Sequence, residues 1–355
     1  MQIDAVFPDA LEMLKLLIST PSISREEKTV ADMVENLLEQ MGFYPHRKGN
    51  NLWVVAPGFD NAKPTILLNS HIDTVKPTGN WTSDPFTPTF RETKITGLGS
   101  NDAGASVVSL LAAFRLLTQK SQPYNLIYSA TAEEEISGLN GVSSILPELG
   151  KIDLGIVGEP TQMQMAVAEK GLLVVDGTVF GKAGHAARNE GINAILEALP
   201  VIKWFKDYRF EKESRFLGPV KMTVTGINAG SQHNVIPDQC HFMVDIRVNE
   251  CYTNEEVLEH LHEMVKCQLV PRSTRLNSSS IPETHPFVVK GKKVGLSTYG
   301  SPTTSDQAVM AFPTIKIGPG DSARSHTANE YILTHEIKQG IEIYTQILDG
   351  LQISV

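Results

Sequence analysis

Residues 130–138 read ATAEEEISG, three consecutive glutamates (Glu133, Glu134, Glu135) directly after the apolar run NLIYS. Other polar residues share that placement. LLNSHID ends in His71 and Asp73, GIVGEP ends in Glu159, and ARSHTANE carries His326 just after the apolar IKIGPG. Asp102 stands in GLGSND, where a glycine-rich loop runs into a helix. Imidazole nitrogen and carboxylate oxygen are the donors of zinc-type sites. Two histidines and several carboxylates meeting at one edge of a sheet would make such a ligand set. Each residue alone has a plainer reading. Asp102 could cap its helix. Glu159 could be a turn acid before Pro160, and His71 a hydrogen-bonded core histidine. The glutamates could open a solvated helix, favoured by the macrodipole. Five such features at one edge favour the metal reading.

Convergence requires elements that end together. NLWVVAPG, PTILLNSHIDTV, YNLIYSATA and DLGIVGEPT read as strands, and the second is nearly all apolar up to His71. Such a strand suits the centre of a sheet covered on both faces. In open α/β sheets, ligands bind beyond the carboxyl ends of the strands. Residues 10–20 are apolar at helical spacing and stop at Pro21. Ser24 with Glu27 reads as a capping box for a helix through Val30, Met33, Leu37 and Leu38 that ends at Gly42. AGASVVSLLAAFRLL reads as a helix with Asn101 or Asp102 near its cap. Alternating strands and helices give an α/β fold: a mixed central sheet flanked by helices.

The texture changes near Leu172. A strand starts there, a helix follows over residues 191–207 with a bend at Pro200, and VKMTVTGINAG and CHFMVDIRV alternate like half-exposed strands. Asn254 caps a helix with Val257, Leu261, Met264 and Val265 on one face, and a last strand lies near 273–279. From residue 281 the first texture returns, with a helix starting near Ser305, a strand at PTIKIGPG and an amphipathic helix over 335–351. The expected organisation is a catalytic domain in two parts, 1–171 and 281–355, with a smaller α+β domain inserted at 172–280.

Net charge is −9, from 40 acids and 31 bases, which argues against a nucleic-acid or anionic-membrane partner. No stretch is apolar for long enough to span a membrane. Residues 1–17 carry three acids before their only base, unlike a signal peptide. Cys240, Cys251 and Cys267 show no CxxC pair and no disulfide framework. These features together read as cytoplasmic. His260 and His262 are two apart on a helix and share no face. HExxH, GxxxxGK[ST] and GxSxG are absent, which sets aside a helical zinc protease site, a P-loop and a serine-hydrolase elbow.

SHIDTV, GLGSNDAGAS, TAEEEISG, VGEPT, GHAAR and SHTANEYI, in this order, resemble the co-catalytic dizinc aminoacylase and peptidase family over essentially the whole chain. IGPGDSARSHTANEYI looks most like the acetylornithine and acetyl-lysine deacetylases of that family, and TTSD at 303–306 more like the desuccinylases. The resemblance implies a zinc-exopeptidase-like fold with an inserted lid and dimerisation domain. It also implies two zinc ions, with cobalt or manganese as substitutes. His71 and Glu159 would hold one ion, Glu135 and His326 the other, and Asp102 would bridge them. Glu134 would be the general base, and Asp73 would orient His71. Glu133, where relatives usually carry Asp, would be a supporting or surface acid. His185 in GHAAR would reach the partner subunit's active site in a homodimer and stabilise the oxyanion. Asn234, Arg247, Thr304 and Ser305 would hold substrate.

This set implies hydrolysis of the amide bond of an N-acyl amino acid, acetyl- or succinyl-ornithine-like, in arginine or lysine biosynthesis. A di- or tripeptidase or carboxypeptidase shares the chemistry and differs only in its pocket. A noncatalytic metal-binding relative would lack Glu134 or a ligand, and neither role is vacant. One departure bears on specificity. Many relatives carry an arginine before the bridging aspartate and a lysine after it, whereas this chain has Leu98 and Ala103 to Ala105.

Overall fold

The computed structural model describes residues 3–188 and 190–353. The chain divides into two compact units. The first comprises the chain up to Val167, Ser280–Tyr299 and the chain from Ser305 onward; the second comprises Ala168–Ser279 and Gly300–Thr304. The short return Gly300–Thr304 thus belongs with the second unit, a detail that the texture of the sequence does not carry.

The first unit is built on a mixed sheet. Its strands lie in the order His46–Lys48, Asn51–Val55, Asn125–Thr131, Thr65–His71, Leu154–Val157, Thr314–Lys316 and Met165–Glu169. The four from Asn125–Thr131 to Thr314–Lys316 are parallel to one another, and antiparallel pairs flank them. All seven residues of Thr65–His71 and of Asn125–Thr131 are buried. A central strand with both faces covered must bury whatever it carries, so its polar side chains need partners. Ser129 and Thr131 donate to Asn69 Oδ1 at 2.7 and 3.2 Å, and Asn69 donates to Asp306 at 2.8 Å.

Register brings the strand ends to one level. Thr65 pairs with Asn125 and His71 with Thr131, while Asn69 pairs with Val157. His71, the turn after Thr131 and Glu159 therefore emerge together at the carboxyl edge. The helix Ala105–Leu117 buries every residue except Arg115. It lies against the two central strands and the helix Thr334–Leu348. Each Leu- or Phe-sized side chain buried there contributes about 1.5–3 kcal/mol. Among the described residues, no helix is long and apolar enough to cross a membrane.

The second unit has a four-stranded antiparallel sheet in the order Lys221–Ala229, Gln239–Val248, Gly171–Phe180, Gln268–Pro271. Burial alternates strictly along Gly171–Val179, the period of a sheet with one covered face. The helices Ala194–Asp207 and Asn254–Met264 supply the cover through Ala198, Phe205, Val257 and Leu261, packed with Leu173, Val175, Phe242 and Val244.

Several local expectations are corrected. Ser24 and Glu27 form no capping box: Ser24 Oγ donates to Asp73, and Glu27 turns inward, fully buried. Neither Asn101 nor Asp102 caps the helix Ala105–Leu117, whose N-cap Gly104 offers no side chain. The cap of Asn254–Met264 is Thr253, in a capping box with Glu256. Asn254 instead donates to the carbonyls of Leu172, Thr274 and Leu276. The strand expected at 273–279 is replaced by Gln268–Pro271 and the two-residue Ser279–Ser280. Near Ser305 only a short 3-10 turn forms, Asp306–Val309, whereas a helix spans Pro286–Lys293. The glutamates open no helix; they lie in a turn.

Candidate metal centre

His71 is 1% exposed at the end of its strand. Its Nε2 lies 3.2 Å from Asp102 Oδ1, 3.7 Å from Glu159 Oε1 and 4.0 Å from Glu134 Oε2. His326 Nε2 lies 2.9 Å from Glu135 Oε2 and 3.7 Å from Asp102 Oδ2. Asp102 thus turns one carboxylate oxygen toward each histidine. Ligand atoms of His71, Glu134 and Glu159, and of His71, Asp102 and Glu135, form two groups compact enough to hold an ion. All of these residues belong to the first unit.

The local structure explains how each side chain is aimed. His71 Nδ1 lies 3.0 Å from the Asp73 carbonyl and 3.5 Å from its Oδ1. Acceptors there keep the proton on Nδ1 and leave the Nε2 lone pair free for a metal. Asp73 also accepts the backbone N–H of Glu134 at 3.1 Å and of Glu135 at 3.2 Å. Glu133 begins that turn with φ +56°. Its carboxylate accepts from the backbone and side-chain nitrogens of Asn140, and its own N–H donates to Glu27. Glu133 is buried and supports the turn. Gly138 suits that turn, since a Cβ would sit 2.5 Å from Glu133 Cβ and force a shift there.

The carboxylates are crowded together and largely buried. Burial and the charge of Glu159 push the Glu134 carboxyl well above its usual range. Burial and the Asp102 charge push Glu159 up to about 8. Burial also raises Glu135. His71 has the opposite balance: burial opposes its protonation, but Asp102, Asp73 and the charges of Glu134 and Glu159 outweigh it and raise its pKa. The bond to Glu135 lifts His326 to about 9. Glu159 Oε1 is buried with no hydrogen-bond partner, a costly state that a cation relieves. Clustered anionic oxygens, two imidazoles and one orphaned oxygen fit a pair of divalent cations.

The remaining candidates make contacts within their own units. In the second unit, exposed His185 lies on the short strand Gly184–His185, paired with Val235–Ile236, and its Nδ1 accepts from Ala187 N. Asn234 is exposed, and its carbonyl accepts from Ala186 N. Arg247 makes a two-pronged pair with Asp245 at 2.8 and 3.1 Å and points a third nitrogen at Thr304 Oγ1, 3.5 Å away. In the first unit, Ser305 caps the turn Asp306–Val309. Four buried acids escaped the sequence reading: Glu27, Glu169, Asp306 and Glu330. TTSD and SHTANE contain two of them, but nothing local marks an acid whose partners are backbone or side chains far away in sequence.

Comparison with known proteins gives a consistent picture. The profile of peptidase family M20/M25/M40 matches residues 67–350. A succinyl-diaminopimelate desuccinylase of Delftia acidovorans is 27% identical, over 96% of this chain and 98% of that protein. An acetylornithine deacetylase of Proteus mirabilis is 28% identical, over 97% of each. Among solved structures, aminopeptidase PepT of Bacillus cereus shares the fold with a TM-score of 0.77 at 19% identity, covering 96% of this chain and 98% of that one. The YXEP protein of Bacillus subtilis, described as a dinuclear metal-binding peptidase, gives 0.74 at 16% identity, covering 97% and 98%. A match that spans the parallel core of the sheet, the second unit and every clustered ligand, with hydrolases among the relatives, makes this chain a hydrolase that belongs to peptidase family M20/M25/M40.

Proposed function

We propose that this chain is a dimetal amidohydrolase that cleaves an N-acyl amino acid, of the N-acetyl- or N-succinyl-ornithine type, into a carboxylate and a free amine. One observation carries the reading: Asp102 turns one oxygen to His71 at 3.2 Å and the other to His326 at 3.7 Å. A carboxylate can span two cations, whereas a neutral imidazole offers one lone pair. His71 and Glu159 would hold one ion and Glu135 and His326 the other, with zinc the favoured metal. When bound, the metal pair supplies Lewis acidity to the scissile carbonyl and acidifies water.

Glu134 does the proton work. Its raised affinity for a proton suits a base that takes one from the attacking water and delivers it to the leaving nitrogen. The C–N bond breaks as a C–O bond forms, and the carboxylate and amine separate. Asp73 holds His71 and the backbone of Glu134 in register. His185 would donate to the oxyanion in a homodimer, and Asn234, Arg247, Thr304 and Ser305 would hold substrate. The second unit would serve as lid and dimerisation domain. Relatives that are a deacetylase and a desuccinylase support the acyl-amino-acid class. A place in amino-acid biosynthesis in a reducing cytoplasm agrees with three free cysteines.

Amine release by zinc-loaded protein from N-acetyl-ornithine, N-succinyl-ornithine, N-succinyl-diaminopimelate and several dipeptides tests the proposal. Preference for one acylated amino acid supports it and identifies the acyl group. Turnover of dipeptides alone overturns it in favour of a peptidase.

A further inference from the structure

Glu330 lies four residues beyond His326 and is 2% exposed. Its carboxylate is directed not at the metal ligands but at the chain that carries Asp102. Oε1 accepts the backbone N–H of Asn101 at 2.8 Å and of Asp102 at 2.9 Å, and Oε2 accepts that of Gly99 at 3.1 Å. The Glu330 carbonyl also accepts Gly97 N. This approach cannot satisfy its own amides by helical bonding. Gly99 has φ +73°, and Asp102 has φ −118° and ψ 98°. Buried N–H groups in such a segment need an outside acceptor.

A second tie joins the same two loops. Asn101 Oδ1 accepts Asp321 N at 3.0 Å, and its Nδ2 donates to Asp321 O at 3.1 Å and Ser325 Oγ at 3.3 Å. Asp102 and His326, which face each other at 3.7 Å, are thus mounted on loops stitched together on both sides.

We infer that Glu330 is a positioning residue for metal binding: it fixes the backbone of Asp102 relative to His326, so that one carboxylate can serve both cations. The inference rests on the dimetal reading above. The carboxylate matters because it offers two acceptor oxygens to three amides. A glutamine of the same size keeps one oxygen and turns a donor onto Gly99 N–H.

The test is zinc affinity of the metal-stripped full chain, read by competition with a chromophoric chelator. Glu330→Gln is expected to weaken at least one of two zinc sites by about 10–100-fold. Tyr124→Phe controls for stability alone. It removes a buried bond to Leu348 O at 2.9 Å, at the opposite end of the strand that leads to the glutamates. This variant is expected to melt earlier and to bind zinc as the parent does. Parental affinity at both sites in Glu330→Gln overturns the inference. So does an affinity loss in Tyr124→Phe that matches its stability loss, because the effect is then merely structural. A parent chain that binds no zinc overturns the dimetal reading itself, and the inference with it.

Discussion

Asp73 Oδ1 accepts the backbone N–H of Glu134 at 3.1 Å and lies 3.5 Å from Nδ1 of His71, whose ring also meets the Asp73 carbonyl at 3.0 Å. One buried carboxylate therefore sets both a metal ligand and the base that works beside it. Asp73→Asn keeps the shape but removes the charge that supports the His71 tautomer. Zinc affinity is expected to fall about 10–100-fold, with kcat falling alongside. Chelator competition and steady-state kinetics check this. Parental zinc affinity in the variant would limit Asp73 to holding the turn.

Glu134 is the group on which turnover depends. Glu134→Gln cannot take a proton, so kcat is expected to drop by about 10²–10⁴-fold. Zinc content should stay at the parental level, because His71, Asp102, Glu135, Glu159 and His326 all remain. Metal analysis of the same sample that is assayed separates the two effects. A variant that keeps most of its kcat contradicts the assignment.

Stability of the stripped protein should depend on pH with a definite sign. Burial first, and then the charge of Asp102, pushes Glu159 and Glu330 to about 8; burial pushes Asp306 to about 6. Unfolded, these groups titrate near 4. The folded form therefore holds extra protons between those values. The stabilisation is complete below the unfolded pKa and is lost as pH rises through the folded ones. Asp73 and Asp102 are shifted down and act below this window. Tm of the stripped protein is expected to fall from pH 5 to 8. Zinc should reverse the trend, since it binds the deprotonated carboxylates. A Tm that stays flat or climbs over that range contradicts the picture of protonated, crowded acids.

Assembly makes a further expectation. The helix Ala194–Asp207 exposes Ile195, Leu196 and Leu199 at 37%, 60% and 56%, on the unit proposed to dimerise. An exposed aliphatic row of this kind suits a partner surface. The parent should sediment as a dimer, and Leu196→Glu with Leu199→Glu as a monomer with lower kcat. A monomeric parent with full activity removes the homodimer from the account.

Much of the fold was legible because its signals are local. Buried strands read as apolar runs, and most of the acids and histidines stood out because they broke or followed such a run, while Asp102 stood out in a glycine-rich loop before a helix. His71, Asp102, Glu134, Glu135, Glu159 and His326 do meet in one cluster. What escaped was set by distant partners. Glu27 looks like the second half of a capping box, yet the Glu133 N–H, Arg25 N–H and Asn50 side chain draw it inward. Asn254 looks like a cap, yet three carbonyls of other segments claim its amide. Glu330 and Asp306 serve backbone or side chains far away in sequence, and no spacing announces that.

The most direct test of the central claim is anomalous diffraction at the zinc edge from crystals of the zinc-loaded protein. Two peaks should flank the Asp102 carboxylate, one against His71 and Glu159 and the other against Glu135 and His326. A single peak, or peaks away from Asp102, would contradict a bridging aspartate and the dimetal chemistry built on it.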